Sequence, residues 1–336
     1  NTSKQEKMTN SAEKRKDNKK KIYRLMLNHQ QYTKQQITRK TGLSVATCNT
    51  LLNDMTANKV LVTGEEKEFR GVGRSSWLYE IDGEHEHYIL VSFAVNQGMR
   101  NVDYYVVSAT GNIIRKECTV CETIDCENVI SVIDGLISDC SSMKQIVLGI
   151  PGVIDGAEIE FCDIKELEIA DIKRKLQEHF KLIVSMENDM HCMAYGYGRK
   201  KQLVNEVITL AGFPSHILPG TVTMHKGQII SGYNGIAGLA GFMPFGINPD
   251  EVPDMMVEGK CLDIISRIIG AIIAFQNPNE IVFSGDLINN KILSEVKDYC
   301  RRSIPEKYMP VFKMVPGFTE YLIEGMFQIA VENKEL

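Results

Sequence analysis

Long apolar runs are absent from this 336-residue sequence. None approaches the roughly 20 consecutive apolar residues that a membrane-spanning helix requires, and the N-terminus has no apolar core of a secretion signal. These absences argue against a membrane protein, and the cytoplasm is the expected location. With 43% hydrophobic and 24% charged residues, the composition is that of an ordinary soluble globular protein, whose length suggests two or three domains.

A disulfide framework and a structural metal site are also missing from the pattern. The nine cysteines are odd in number and scattered, mostly inside apolar stretches where cysteine behaves as a small core residue. The one close pair, Cys118 and Cys121, has no second Cys or His pair at zinc-site spacing downstream. Because a structural zinc needs about four ligands, we expect free thiols and no bound metal or cofactor.

An even distribution of charge is lacking as well. The net charge of −5 conceals residues 1–80, which carry 16 Lys or Arg against 8 Asp or Glu, so that the remainder carries −13. A small basic segment ahead of a large acidic body is the arrangement expected of a phosphate-binding head, although charge alone identifies no partner.

The basic segment divides into an arm and a small domain. Residues 1–20 are Lys-rich and nearly devoid of apolar side chains, which predicts a disordered arm. Residues 21–82 form the predicted head domain, and Ile22, Leu25 and Met26 mark the apolar face of its first helix.

Capping residues indicate a helix-turn-helix within this domain. Thr33 and Gln36 fit a capping box that begins a second helix. Gly42 ends that helix in a tight turn, and Ser44 caps a third helix with Cys48, Leu51 or Leu52, and Met55 pointing inward. The outward residues are short and almost uncharged, as base-edge contacts in a major groove require, while Arg39, Lys40 and the N-terminal lysines can reach phosphates. Together with Ser44, these DNA-contact candidates are Ala46, Thr47, Asn49, Thr50 and Asn53.

A hairpin follows the third helix. Val60–Thr63 and Trp77–Ile81 alternate as strands around the loop 64–76, which has the basic, glycine-bearing composition of a wing. Arg70 and Arg74 are its candidates for contact with an adjacent minor groove. The alternative for the whole head is a protein-interaction domain, since small helical domains with this spacing are common.

The rest of the chain shows the same order of elements twice. Three strands, a helix and a strand fall between Tyr88 and Ile150, and the same order recurs between Glu206 and Ser284. This repetition predicts a duplicated α/β fold with a cleft between two lobes.

Four motifs, in this order along the chain, resemble those of the ROK family of repressors and sugar kinases. They are Leu148–Asp155, Met186–Met190, Gly232–Gly238 and Asn277–Gly285. The resemblance implies an actin-like, ribonuclease H-like body of the sugar-kinase type, with lobes over residues 83–205 and 206–336. The winged head is typical of the regulator branch of this family.

The resemblance also implies phosphate loops, and this chain departs from both. The first loop falls on Asn96–Arg100, where an amide replaces the metal-facing carboxylate and Arg100 replaces a threonine. The second falls on His216–Val222, where only Gly220 of the glycines remains and a proline removes one backbone N–H. We therefore expect ATP binding to be lost.

The sugar side of the family pattern is altered too. Leu239 and Phe242 stand where the family has a glutamate and a histidine, and Met243–Lys260 lacks the family's zinc ligands. Asp189 occupies the position of the kinase base, so we expect a relic without catalytic function. With Asn188 it could bind a ligand or cap the following helix, and capping is slightly favoured. The ligand-contact candidates are Asn188, Asp189 and Asn234.

These observations predict a DNA-binding transcriptional regulator, in the first instance a repressor, and not an enzyme. Its expected partners are a double-stranded inverted-repeat operator, a second copy in a homodimer or homotetramer, and a sugar or sugar-derived effector in the cleft. Two alternatives stay open: a sugar kinase with a fused DNA-binding head, and an actin-like adaptor that responds to a protein partner.

Overall fold

The computed structural model describes residues 2–27, 31–64, 77–96, 98–140, 142–155, 158–169, 171–202 and 205–332. A small head with a three-stranded sheet is followed by two lobes, each built on a five-stranded sheet. Within these ranges no helix is both long and apolar enough to cross a membrane. The nine cysteines are free thiols, and only Cys118 is exposed.

The head is a winged helix, as the sequence predicts. Three helices accompany an antiparallel sheet whose last strand lies between the other two. The wing tip, residues 65–76, lies outside the described residues, and so do Arg70 and Arg74. The elements are α1 (Thr2–Met26), β1 (Tyr32–Thr33), α2 (Lys34–Thr41), α3 (Val45–Ala57), β2 (Leu61–Gly64) and β3 (Leu78–Ile81).

Local hydrogen bonds begin and end the two helices of the helix-turn-helix. Thr33 N donates to Gln36 Oε1 at 2.8 Å and Gln36 N donates to Thr33 Oγ1 at 3.3 Å, which is the predicted capping box. Gly42 ends α2 with a left-handed φ of 69°, a conformation that favours glycine. Ser44 Oγ then accepts from Thr47 N at 3.1 Å and begins α3.

The structure corrects the expected disorder of residues 1–20, because α1 begins at Thr2. Lys, Gln, Glu, Arg and Met have high helix propensity, so a polar segment of this composition continues a helix that is anchored further along. The anchor is Ile22, Tyr23 and Met26, which are buried. Arg15 and Lys19 also approach the Asp54 carboxylate of α3 at 3.0 and 2.8 Å, contacts that composition alone does not reveal.

The first lobe carries a mixed sheet in the order β10-β7-β4-β5-β6, with the first three strands parallel to one another. In the parallel pair β10 and β7, Asn188 lies opposite Ile150. Its elements are β4 (His87–Asn96), β5 (Met99–Ser108), β6 (Ile113–Cys121), α4 (Cys126–Ile137), β7 (Met143–Ile150), β8 (Gly152–Asp155), β9 (Glu158–Cys162), α5 (Lys165–Ile169), α6 (Ile172–Phe180), β10 (Ile183–Asn188) and α7 (Asp189–Lys201).

The second lobe repeats this topology. Its order, β13-β12-β11-β14-β15, has the same parallel and antiparallel pairs as the first sheet read from β6 to β10, which confirms the predicted duplication. The elements are β11 (Val207–Gly212), β12 (Gly220–His225), β13 (Gln228–Ile229), α8 (Val252–Met255), α9 (Leu262–Gln276), β14 (Glu280–Ser284), α10 (Asn290–Arg301), β15 (Val311–Met314) and α11 (Thr319–Glu332), with short 3-10 helices at Ala240–Phe242, Pro249–Glu251 and Glu306–Tyr308.

The last helix, α11, returns from the second lobe to the first. It packs against α7 with almost no space between the two backbones, since a Cβ on Gly196 would lie 1.9 Å from the Tyr321 oxygen and one on Gly325 would lie 1.8 Å from the Cys192 oxygen. The expected lobe boundary at residue 206 therefore groups α11 with a sheet other than the one it covers. Leu322, Met326 and Phe327 share a core with the first lobe and with α1.

The close packing of α7 and α11 predicts an asymmetry between two glycines. Gly325→Ala should lower the free energy of unfolding by about 1–3 kcal/mol, because its Cβ forces the two helices apart. Gly270→Ala in α9 is the matched control, because no atom lies within 4 Å of its added Cβ. That control should be neutral or stabilising by about 0.5–1 kcal/mol. Urea unfolding of both variants is the measurement, and equal stabilities would contradict the packing described.

Candidate functional site

The outer face of α3 is short, polar and uncharged. Ala46, Thr50 and Asn53 are exposed, and Thr47 is half-buried. Ser44, also exposed, uses its hydroxyl to cap the helix and lies 2.8 Å from the Thr47 hydroxyl. A helix with this face can approach base edges without large side chains in the way.

One predicted member of this face lies elsewhere. Asn49 is half-buried, and its Oδ1 is buried with no hydrogen-bond partner among the residues that the structure describes. An amide in this position is poorly placed to read a base edge, because its acceptor is turned into the head. Sequence spacing puts Asn49 near the outer face, but it cannot show how α3 rotates against its neighbours.

The helix α1 flanks this face with positive charge. Lys14, Arg15 and Asn18 of α1 line a groove with Ala46 and Thr50 of α3. The side chains of Lys19 and Arg15 hydrogen-bond Asp54, and these contacts lower the pKa of its carboxyl. A basic helix beside an uncharged helix face is an arrangement that suits contacts to both phosphates and bases.

The head and the body share one hydrophobic core. Tyr23 of α1 donates to the Ala109 carbonyl of the first lobe at 2.7 Å. Lys20 Nζ donates to the carbonyl of Glu332 at 3.1 Å, near the C-terminal end of α11, where a cation is favourable. Tyr88 and Phe327 meet edge to face, with ring centroids 5.9 Å apart. The head is therefore held against α11 and the first sheet.

A cavity of about 340 Å³ lies between the two lobes. It lies at the carboxyl ends of the parallel strands, where Asn188 ends β10, Gly212 ends β11 and Ser284 ends β14. Open α/β sheets place their ligands at such edges. Phe318 and Leu322 of the α11 region also line this interlobe cavity.

Described side chains in the two segments that correspond to the family's phosphate loops make contacts of their own. Arg100 donates to Glu166 at 2.9 and 3.2 Å and to the Gly98 carbonyl at 2.9 Å. Its guanidinium therefore links the first segment to α5. In the second segment Leu218 projects into the interlobe cavity beside Pro219. Leu218 and Pro219 are thus part of the cavity wall.

Apolar side chains continue the wall beside Leu218, since Gly241 N donates to the Pro219 carbonyl at 3.2 Å. Phe242 meets Phe161 of β9 edge to face, with centroids 5.6 Å apart, and Leu239 lies beside them. Gly238 permits this turn, since its φ is 104° and a Cβ there would lie 1.9 Å from the Thr221 oxygen. The cavity is consequently lined mainly by hydrophobic groups.

Asn188 caps α7, as the sequence slightly favours. Its Oδ1 accepts from His191 N at 2.9 Å, and its Nδ2 donates to the Gly152 carbonyl at 2.6 Å. Both ends of the amide are engaged, although the residue still borders the interlobe cavity. His191 turns away from this cavity, with its Nδ1 2.9 Å from Glu187 Oε1.

Asp189 and Asp163 are the acidic groups of the cavity floor. Burial raises the pKa of Asp189 to about 7, and the nearby negative charge of Asp163 adds to the effect. Burial likewise raises the pKa of Asp163 to about 6. The sequence motif indicates Asp189, whereas Asp163 was missed because it follows β9 without any distinctive motif.

Asn234 is not brought together with the other two ligand candidates. It is exposed and lines a separate polar depression with Asp155, Glu187 and His191. The Gly232–Gly238 turn places Asn234 beside Glu187 and His191 and outside the lining of the interlobe cavity. Among the described residues, no three His, Cys, Asp or Glu side chains cluster as a metal site would require.

A winged helix-turn-helix head on a two-lobed, actin-like body defines the class of this protein. A winged helix-turn-helix DNA-binding model matches residues 15–61, and the model of the ROK family matches residues 92–264. Because the second match spans more than half of the chain, the protein belongs to the ROK family. Curated protein sequences give no significant match.

Solved structures share the fold. A ROK family transcriptional regulator, a homolog of the E. coli MLC protein, matches 95% of this chain and 99% of its own at 13% identity with a TM-score of 0.66. The Lmo2764 protein of Listeria monocytogenes, proposed to be an N-acetylmannosamine kinase, matches 73% of this chain and 100% of its own, with 14% sequence identity and a TM-score of 0.58. A ROK glucokinase of Streptomyces griseus, in complex with glucose and AMPPNP, matches 71% of this chain and 98% of its own, with 16% sequence identity and a TM-score of 0.51. Regulators and kinases therefore share this architecture.

The raised pKa of Asp189 predicts a pH-dependent stability. Because the folded pKa of about 7 lies above the ordinary value of 3.8, stability is lost as the pH rises between these values. Asp189→Asn removes the charge that burial disfavours, so it should be more stable than the wild type near pH 8, by up to roughly 4 kcal/mol, with little gain near pH 4. Urea unfolding across this pH range is the measurement.

Asp54→Asn provides a control of opposite sign. Hydrogen bonds from Lys19 and Arg15 lower the pKa of the Asp54 carboxyl. Its contribution to folding stability is therefore present above the ordinary pKa of an aspartate and is lost in acid. This variant should lose stability at neutral pH. Parallel pH profiles for the wild type and Asp189→Asn would contradict the burial of that carboxyl.

Proposed function

We propose that this protein is a sequence-specific DNA-binding transcriptional regulator, in the first instance a repressor, whose cleft binds an effector in place of kinase substrates. The observation that carries the proposal is the exposed, uncharged face of α3 within a basic winged helix. Ala46, Thr50 and Asn53 are its base-contact residues, with Thr47 at the edge. Ser44 acts through the cap of α3, and Asn49 contributes less than its spacing suggests.

Positive charge around α3 supplies the phosphate contacts. Arg39 and Lys40 are exposed on α2, and Lys14 and Arg15 flank α3 from α1. Arg70 and Arg74 of the wing are proposed for the adjacent minor groove from sequence alone. A homodimer, or a tetramer built from dimers, would place two heads on an inverted repeat, because a two-fold protein matches a two-fold operator.

Effector binding would reach DNA through α11. The N-terminal turn of α11 lines the interlobe cavity, and its later residues share a core with α1 of the head. A ligand that binds one arrangement of the lobes better than another would shift the equilibrium between the two arrangements. The size of that shift is set by the difference between the two binding free energies, and the head would move with the favoured arrangement.

Substitutions in the head should separate base contacts from phosphate contacts. In a site selected from random duplex DNA by the full chain, Asn53→Ala should weaken binding by about 1–3 kcal/mol and relax the base preference. Arg39→Ala should weaken binding to selected and unselected DNA alike. It should also reduce, by about one, the slope of the logarithm of the binding constant against the logarithm of the salt concentration.

Lys260→Ala is the control for these two variants, because it removes one exposed positive charge from the second lobe, away from the head. Fluorescence anisotropy over a range of salt concentrations measures all three. Equal losses for Arg39→Ala and Lys260→Ala would show that general charge, and not the head, binds DNA.

The altered phosphate segments predict that phosphoryl transfer is absent. Leu218 and Pro219 occupy the second segment, and Arg100 pairs with Glu166 in the first. With glucose or N-acetylmannosamine as substrate, ADP release should equal the background without protein. Hexose-dependent ADP release that disappears in Asp189→Ala would contradict the proposal and favour a kinase with a fused DNA-binding head.

A further inference from the structure

The walls of the interlobe cavity are suited to an apolar molecule. Phe161, Leu218, Leu239 and Phe242 face it from both lobes, and Phe318 faces it from the segment before α11. The volume of about 340 Å³ lies within the range of small-molecule pockets. A plain hexose presents hydroxyl groups in every direction, and such walls offer those groups few hydrogen-bond partners.

The floor of the cavity, in contrast, carries two carboxyl groups with no positively charged counterpart in the described lining. Asp163 and Asp189 both face it, while no Lys, Arg or His side chain lines it within the described part of the chain. Met190 N donates to Asp189 Oδ1 at 2.7 Å, a contact from the neighbouring backbone. Ionising both carboxyl groups in this apolar cavity is unfavourable, which is why their pKa values are raised, and a positive charge beside them would favour the ionised forms.

Basic side chains near this floor are engaged elsewhere. Lys165 acts on Asp163 through space, but its ammonium donates to Glu168 Oε1 at 2.9 Å and lies 4.5 Å from the centroid of the Phe161 ring. His191 acts on Asp189, but its ring pairs with Glu187.

The third acid of the lining, Asp103, has its own partner, since Lys116 Nζ lies 3.7 Å from it. The buried Cys162 and Cys192 thiols are further titratable neighbours of Asp189. The pair Asp163 and Asp189 is therefore the part of the cavity that lacks a compensating charge.

We infer that the interlobe cavity binds a small molecule with an aromatic or branched aliphatic body and a primary amine, whose ammonium group donates to Asp163 and Asp189. The inference rests on the proposed function, because it names the class of effector for the same cavity. The apolar body would fill the space between Phe161, Leu239 and Phe242. The ammonium would supply the positive charge that the lining lacks, and charge-assisted hydrogen bonds are stronger than neutral ones.

Asn188 does not offer an alternative anchor for a polyol. Its Oδ1 and Nδ2 already bond His191 N and the Gly152 carbonyl. Besides the hydroxyl groups of Ser92, Ser284 and Thr319, the lining offers a ligand the carboxyl pair, and ionised carboxylates accept hydrogen bonds without donating any.

Matched probes test this inference on the full chain. Phenethylamine, phenethyl alcohol and glucose are titrated by calorimetry and by thermal unfolding at neutral pH. Phenethylamine should bind and raise Tm, whereas phenethyl alcohol, which has the same body, should bind more weakly by roughly tenfold or more, the scale of one hydrogen bond to a charged group. Equal binding of amine and alcohol, binding of glucose in preference to both, or no binding of the amine at millimolar concentration would each overturn the inference.

Three variants locate the site. Asp163→Asn and Asp189→Asn keep the shape of the floor and remove its charge, so each should weaken phenethylamine by roughly tenfold while leaving the alcohol unchanged. Asp155→Asn is the matched control, because this exposed carboxylate lines the separate polar depression with Asn234. An equal loss of amine binding in Asp155→Asn would place the amine elsewhere and overturn the assignment.

DNA binding by the same samples distinguishes this inference from the proposed function. If the protein binds DNA and the amine does not bind, the effector class is wrong and the regulator stands. If the amine binds with the expected dependence on Asp163 and Asp189 while the protein does not retain DNA, the cavity assignment stands and the regulator fails.

Discussion

The packing of α11 is the constraint on which the rest of the structure depends. Gly196 and Gly325 bring α7 and α11 so close that neither can carry a Cβ without displacement. This contact fixes a helix that lines the interlobe cavity at one end and meets α1 of the head at the other. Because Tyr23 and Lys20 of α1 also bond the body directly, the head is not joined by a loose linker. Under the proposed function, α11 is the packed connection between the effector cavity and the DNA-binding head.

The same body that serves kinases is filled here with different chemistry. Phosphate cradles depend on exposed backbone amides, and the proposed loss of nucleotide binding rests on Leu218, Pro219 and the paired Arg100 at the corresponding segments. What remains at the floor is a carboxyl pair without a phosphate donor beside it. Asp189 keeps the position of a base, but a base needs a reacting group within reach. The proposed role of the cavity is therefore that of a binding site, in which a ligand would compensate the charge of Asp163 and Asp189.

Much of the architecture could be predicted from sequence, because its determinants are local. The capping box at Thr33, the turn at Gly42 and the cap at Ser44 specify the helix-turn-helix without long-range information. Tertiary contacts decided the rest. A polar composition at residues 1–20 suggests disorder, yet Asp54 on another helix holds α1 in place. Asn49 turns inward, Asn234 lies away from Asp189, and α11 crosses between the lobes. Tertiary packing determines each of these placements, and the spacing of residues along the chain does not predict it.

Sequencing of the genomic fragments that the full chain retains tests the central claim most directly. Sheared DNA from the source organism is captured at low salt, in parallel with a Thr50→Ala, Asn53→Ala double variant whose fold depends on the same core. The account predicts that the full chain enriches an inverted-repeat site and that the double variant retains DNA without enriching it. Absence of any enrichment by the full chain at low salt would contradict the regulator and leave a protein partner as the better explanation of the head.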